Sequence, residues 1–191
     1  MKSVLVIGAD EFFGLSFCER LMEEGISVDV KLQEASDEKK RLYLEERLMW
    51  LVRNQHFCVI EQDAGSGYDK IFIQYPEKMP EKALDVLTEN TPVFLLLYEH
   101  QEDEAVKKEA DEKGVQTIVL PDMYGPWNAG EEDEESRESG FFVDDVASQL
   151  AVYMMEKDPS PLQFKRRITE EEAAPKIEEW KRQMTTIFDK K

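Results

Sequence analysis

The chain has 191 residues, of which 41% are hydrophobic, and it carries 42 acidic against 24 basic residues, a formal net charge of −18. This length and composition predict one globular domain over residues 1–191 with a C-terminal extension over residues 158–191. The acidic balance, with no cluster of Lys and Arg that would release counterions, argues against nucleic acid and anionic membranes as partners. The lack of a long apolar run and of a signal peptide predicts a cytoplasmic protein.

The positions of the cysteines and histidines also predict a reducing, cytoplasmic compartment and give no sign of a metal site. Cys18 falls on a predicted helix and Cys58 on a predicted strand, and neither has metal-ligand spacing. Both are expected to be buried thiols of a reducing compartment. His56 and His100 are far apart in sequence, so we expect no metal centre.

Short apolar strands alternate with amphipathic helices along the chain. Six strands are predicted, at residues 4–7, 27–32, 57–60, 71–74, 93–97 and 115–120. The predicted helices span about residues 12–24, 36–53, 80–91, 102–113 and 143–157, and a last helix begins near Pro175. Ser36 is expected to cap the second helix.

The apolar spacing also predicts which helix faces are buried. The inward positions are expected to be Phe13, Phe17 and Leu21 on the first helix and Leu44, Leu48, Leu51 and Val52 on the second. On the helix over 143–157 they are Val146, Leu150, Tyr153 and Met154.

This alternation predicts an α/β fold with a doubly wound parallel sheet, strand order 3-2-1-4-5-6 and helices on both faces. The first strand leads directly into a turn with glycines at its two ends, Gly8 and Gly14. In such folds a ligand binds at the carboxyl ends of the strands, near the first turn.

Four segments, in order, resemble the extended branch of the short-chain dehydrogenase/reductase superfamily, the nucleotide-sugar epimerases and dehydratases. The first is VLVIGADEFFG, which is similar to that family's first strand and GATGFIG-type turn. The others are the strand end Ile60-Glu-Gln-Asp63, the YGP-like element Met123-Tyr-Gly-Pro-Trp127 and the VDDVA-like element Phe142-Val-Asp-Asp-Val-Ala147. The match covers residues 3 to about 157 and identifies a degenerate, truncated member.

The resemblance implies an NAD(P) site, with Gly8, Phe12, Phe13 and Gly14 in the turn and Asp63 near the adenine. The middle glycine of the turn is replaced by Glu11, beside Asp10. These carboxylates are expected to repel the pyrophosphate and to satisfy the first helix's N–H groups themselves. We therefore expect either no cofactor or weakly bound NAD(P). Lys31, at the end of strand two, is either solvated or faces a 2′-phosphate.

The family's catalytic residues are not found at their expected positions. A Ser or Thr should follow strand five, and Tyr-x-x-x-Lys should lie on the next helix, but that helix has no tyrosine. The string YMMEK, Tyr153 to Lys157, lies on a later helix and is interpreted as a chance match. The sequence therefore predicts no catalytic residues and a non-catalytic protein with a binding, regulatory or structural role. The alternatives are an NAD(P)-dependent oxidoreductase or epimerase with an atypical site, and a dinucleotide sensor.

Partner predictions concern two helices. The helix over 102–113 is too charged for the family's usual dimer interface, so a monomer is favoured. The last helix carries an apolar stripe that either docks on the chain's own sheet or binds a protein partner or a second copy. That stripe consists of Ile177, Trp180, Met184, Ile187 and Phe188.

Overall fold

The structure is a computed structural model that describes residues 1–33, 38–61, 67–75, 91–101, 104–128, 139–157 and 160–188. Several predicted features lie outside these ranges: the Ser36 cap, the helix over residues 80–91 and Asp63. The chain divides into two compact units, Met1–Leu120 and Pro121–Lys191. That they make up one domain stays a prediction.

The first unit is built on a six-stranded parallel sheet of order 3-2-1-4-5-6, as predicted. Its strands are β1 (Ser3–Ile7), β2 (Ser27–Lys31), β3 (Phe57–Val59), β4 (Lys70–Gln74), β5 (Val93–Tyr98) and β6 (Gln116–Leu120). β1 lies between β2 and β4, with Val6 opposite Val30 on one side and Phe72 on the other. The central strands are almost continuously apolar because both faces of a parallel α/β sheet are covered. The fold is Rossmann-like.

Parallel neighbours require crossover connections, and helices supply them. In the first unit these are α1 (Gly14–Glu23), α2 (Glu38–Leu51) and α3 (Glu104–Glu112), with a short 3₁₀ turn at Glu99–Gln101. The predicted face of α1 is confirmed, since Phe13, just before the helix, and Phe17 and Leu21 within it are fully buried. Gly25, in the left-handed region at φ +77°, follows its end.

The predicted face of α2 is wrong in part. Leu51 is buried, Leu44 and Leu48 are half-buried, and Val52 is 55% exposed. The charged Arg47 is buried instead, where its guanidinium donates to Ser16 Oγ and Glu19 Oε2, both at 2.8 Å. The spacing of apolar residues cannot predict that Arg47 is buried, because its hydrogen-bond acceptors lie on another helix.

Cys58 also departs from its prediction, because it is exposed whereas Cys18 is buried. β3 is an edge strand of the sheet. Its Phe57 is buried while Cys58 and Val59 are exposed. Burial of the thiol raises the pKa of Cys18 well above its ordinary value.

The second unit contains a two-stranded parallel ladder and two helices. Its elements are β7 (Met123–Tyr124), β8 (Phe141–Phe142), α4 (Val143–Met155) and α5 (Glu170–Phe188). The predicted inward residues of α4 are buried, except that Tyr153 is half-buried. The core cluster of the second unit consists of Tyr124, Phe142, Ala173 and Ile177, with Ile168 packed against it.

α5 starts five residues earlier than predicted, so Pro175 lies inside it. The start is a reciprocal cap: the Glu172 N–H donates to Thr169 Oγ1 at 3.3 Å, and the Thr169 N–H donates to Glu172 Oε2 at 2.9 Å. This Thr-x-x-Glu capping box stabilises the first turn of the helix. Ile177 and Met184 of the predicted stripe are buried and Trp180 is half-buried. Use of this helix by a partner stays a prediction.

None of the described helices combines the length and the apolar character needed to cross a bilayer.

Candidate functional site

The chain reverses its direction of travel through the sheet at β1, with β2 and β3 on one side and β4 to β6 on the other. In open α/β sheets the crevice at this reversal, outside the carboxyl ends of the strands, is where ligands bind. Gly8 follows β1, and Gln74 and Tyr98 are the last residues of β4 and β5. These three elements and the turn to α1 define the candidate site.

The turn requires glycine at both of its ends. Gly8 has φ +76°, and a Cβ there would lie 2.9 Å from the Gln74 carbonyl oxygen and 3.2 Å from Gln33 Nε2. At Gly14 a Cβ would lie 2.6 Å from Ala9 Cα and 2.7 Å from both the Ala9 carbonyl oxygen and Gln74 Oε1. Protein atoms therefore surround both glycines.

Gln74 is the central polar residue of the site and is completely buried. Its Nε2 donates to the Tyr98 hydroxyl oxygen at 2.7 Å. Its Oε1 lies against Gly14 and has no hydrogen-bond partner among the residues that the structure describes. An unsatisfied buried amide oxygen is costly, so the packing of Gln74 under the turn must offset that cost.

Tyr98 connects β5 to the start of α1. Its hydroxyl oxygen accepts a hydrogen bond from the Phe13 N–H at 3.3 Å, besides the one from Gln74. His100 stacks on its ring, with centroids 5.4 Å apart. Loss of hydration raises the pKa of Tyr98 above its ordinary value, so the hydroxyl is protonated at neutral pH.

The two carboxylates of the turn do not cap α1, contrary to expectation. Asp10 Oδ1 accepts from the Gln33 N–H at 2.8 Å, just beyond β2. Glu11 Oε2 lies 3.8 Å from Lys40 Nζ on α2. The reason is that α1 begins only at Gly14; its first turn contains no acidic residue, and no side chain caps it.

Burial raises the pKa of Asp10 above the ordinary carboxyl value of 3.8, and the Gln33 N–H and Lys40 only partly oppose this shift. Folding therefore favours the protonated form. That contribution to stability is complete below the unfolded-state pKa and is lost as the pH rises through the folded-state pKa. We expect Asp10→Asn, which stays neutral and keeps an acceptor for Gln33, to melt at a higher temperature than the parent at pH 7.

The gain from Asp10→Asn should shrink as the pH falls towards the carboxyl range, which melting curves at several pH values would measure. Glu24→Gln removes the same charge from an exposed position and is the matched control. Equal shifts for the two variants would contradict a buried-carboxylate effect at Asp10.

The structure brings together four of the predicted cofactor residues, Gly8, Phe12, Phe13 and Gly14, in one turn. Lys31 is half-buried, and its carbonyl accepts the Gly8 N–H at 2.9 Å. In the described ranges, no three His, Cys, Asp or Glu side chains approach one another in a way that could hold a metal ion.

Sequence reasoning missed Gln74, Tyr98 and Gln33. Gln74 and Tyr98 could have been identified as polar residues at the end of otherwise apolar central strands. The sequence reads FIQ at the end of β4 and LLY at the end of β5. Such residues lie at the carboxyl edge, beside the first turn.

No protein-family model matches the sequence. The uncharacterized protein YjaV of Bacillus subtilis (strain 168) is 44% identical over 198 residues, and the alignment covers 100% of both chains.

Several solved structures share the fold. Vestitone reductase from alfalfa (Medicago sativa L.) aligns with a TM-score of 0.50 at 16% identity, over 85% of this chain and 77% of the reductase. AtPrR2 with NADP⁺ and (+)-pinoresinol gives 0.52 at 12%, over 82% and 66%. The yeast methylglyoxal/isovaleraldehyde reductase Gre2 with NADPH gives 0.50 at 14%, over 87% and 75%. At these identities the likeness shows the fold alone.

Proposed function

We propose that this chain, which belongs to the family of the Bacillus subtilis protein YjaV, is a non-catalytic protein of NAD(P)-binding fold with a binding, regulatory or structural role. It is further proposed to descend from the extended, epimerase-like branch of the short-chain dehydrogenases and to bind NAD(P) weakly or not at all. The observation that carries the proposal is the hydrogen bond from the Phe13 N–H to the Tyr98 hydroxyl oxygen. Through this bond a side chain of the protein itself accepts from an N–H group at the start of α1.

This contact matters because a dinucleotide is held at such a turn through free N–H groups at the start of the helix. The Phe13 N–H is directed to a tyrosine that is anchored in turn by Gln74. A phosphate would have to displace this contact without the help of the glycine that Glu11 replaces. Glu11 and Asp10 would also oppose the phosphate, although Lys40 reduces the field of Glu11.

The glycines of the turn do not argue for a ligand. A Cβ at Gly8 or Gly14 would meet Gln74 and neighbouring backbone atoms rather than an empty cradle. Packing of the apoprotein therefore accounts for both glycines, and they would be needed even if the protein bound no cofactor.

The surroundings also give no support to the family's chemistry. β5 ends in Tyr98 where a Ser or Thr is expected, and it is followed by the 3₁₀ turn and the charged α3. Tyr153 is half-buried on α4, and Lys157 lies beyond the end of that helix at Met155. The two residues of the YMMEK match therefore do not share one helical face, as a lysine placed to lower the phenol pKa requires.

Calorimetric titration with NAD⁺, NADH, NADP⁺ and NADPH tests the proposal. We expect no binding in the micromolar range for the parent protein. Glu11→Gly should tighten binding, whereas Lys40→Ala, which keeps the carboxylate and removes its partner cation, should not. Micromolar binding of any one dinucleotide by the parent would refute the proposal, and a turnover assay would then distinguish an enzyme from a sensor.

A further inference from the structure

The segment between α4 and α5 carries three consecutive basic residues, Lys165, Arg166 and Arg167, and all three are exposed. The net charge of −18 over the whole chain does not reveal this triplet. Residues 165–167 belong to neither a helix nor a strand, but their main chain is fixed. Gln149 of α4 is buried; its Nε2 donates to the Lys165 carbonyl at 2.8 Å, and its Oε1 accepts the Lys165 N–H at 2.8 Å.

A second buried residue of α4 fixes the other end of the triplet. Asp145 Oδ2 accepts the N–H groups of Arg167 and Ile168, both at 2.8 Å. Ile168 packs on the core cluster of this unit, and the cap of α5 begins at Thr169. The main chain of the triplet is therefore held in place by buried side chains on both sides.

The side chains of the triplet differ in whether they contact other groups of the protein. Arg166 is engaged: its guanidinium donates to the Ser139 carbonyl and lies 5.3 Å from the Phe141 ring centre. Lys165 and Arg167 have no carboxylate within ion-pair distance in the part of the chain that the structure describes. Several cations elsewhere in the described ranges do pair with a glutamate three or four residues away, among them Lys107, Lys108, Lys113, Lys181 and Arg182.

We infer that Lys165 and Arg167 form a docking site for an acidic segment of a partner polypeptide. The fixed main chain lowers the ordering cost of binding, and an arginine guanidinium presents a fork that matches a carboxylate. Both side chains are exposed and have no ion-pair partner in the part of the chain that the structure describes, so they offer an acidic ligand positive charge on a chain of net charge −18. This inference concerns a site other than the glycine turn and does not depend on whether that turn binds a dinucleotide.

A short acidic segment fits better than a nucleic acid or a membrane. Fields are screened beyond roughly 8 Å at physiological ionic strength, so a short ligand interacts mainly with the basic residues. An extended polyanion would also face the acidic surface around them.

Fluorescence anisotropy with a labelled hexaglutamate peptide tests the inference at low and physiological salt. The test variant is Lys165→Ala/Arg167→Ala, in which Gln149 and Asp145 still hold the main chain because they bond only backbone groups. The control is Lys181→Ala/Arg182→Ala, which removes the same two charges from α5. We expect the test variant to weaken binding about tenfold or more and the control less than twofold, with unchanged melting curves for both.

Three results would overturn the inference. One is no binding of the peptide by the parent protein at millimolar concentration. The second is an equal loss in the two double variants, which would indicate a general charge effect. The third is tighter binding of a single-stranded oligonucleotide, or of phosphatidylserine vesicles, that is lost in the test variant alone.

Discussion

Gly14→Ala is expected to destabilise the protein by about 3 kcal/mol or more, or to prevent soluble expression. The new methyl carbon would lie 2.6 Å from Ala9 Cα and 2.7 Å from the Ala9 carbonyl oxygen. Both are backbone atoms of the turn that joins β1 to α1, so neither can move without shifting one of those elements. Overpacking of a well-packed interior typically costs about 1–3 kcal/mol, and backbone contacts this short lie at or beyond the upper end.

Thermal or urea unfolding measures the effect, which for a chain of this size corresponds to a fall of roughly 6–12 °C in the melting temperature. Gly25→Ala is the matched control, because a Cβ there meets nothing within 4 Å although φ is +77°. Left-handed backbone alone costs an alanine about 1–2 kcal/mol. If Gly14→Ala were no more harmful than Gly25→Ala, the close packing of the turn would be disproved.

Asp145→Ala is expected to cost about 2–3 kcal/mol and to release the basic segment. The carboxylate accepts two main-chain N–H groups, those of Arg167 and Ile168, and is itself buried. Removing it leaves both donors without a partner, and an unsatisfied buried group costs about 1–3 kcal/mol. Since these N–H groups are only partly buried, water recovers some of that loss.

Two neighbouring variants make the test specific. Asp145→Asn keeps an acceptor oxygen and loses only the charge, so we expect a cost of about 1 kcal/mol. Asp144→Ala removes an acid from the same first turn of α4 and should stay within about 0.5 kcal/mol. Urea unfolding gives the stabilities, and the rate of trypsin cleavage after residues 165–167 reports release of the segment. Cleavage of Asp145→Ala at the parental rate would contradict the anchoring role.

The Asp145 anchor also changes the interpretation of the VDDVA-like element. The sequence identified this element through its resemblance to a family motif, with no role for its acids in this chain. In the structure Asp145 of the element, with Gln149 one turn later, holds the chain's own segment at residues 165–168. These contacts join residues 16 to 23 positions apart, and nothing in the local pattern indicates them.

The sheet of this protein follows from its sequence pattern alone. Strand order and parallel pairing follow from the alternation of apolar runs with amphipathic helices, because right-handed crossovers leave few topologies. Local chemistry also determined the inward face of α1 and the closing of that helix by Gly25. The Thr169–Glu172 cap is equally local, but Pro175 also suits a first helical turn and places the predicted start five residues too late.

The contacts at the glycine turn, in contrast, depend on the folded chain. Gln74 and Tyr98 are 24 residues apart, and Tyr98 is 85 residues from Phe13. Their meeting depends on β1, β4 and β5 ending side by side, which the strand order permits but no pattern of side-chain types specifies. The same holds for Arg47, which is buried because Ser16 and Glu19 on a different helix accept its hydrogen bonds. Periodicity reports how apolar each position is, whereas a buried polar group is stabilised by partners that only the folded chain brings within reach.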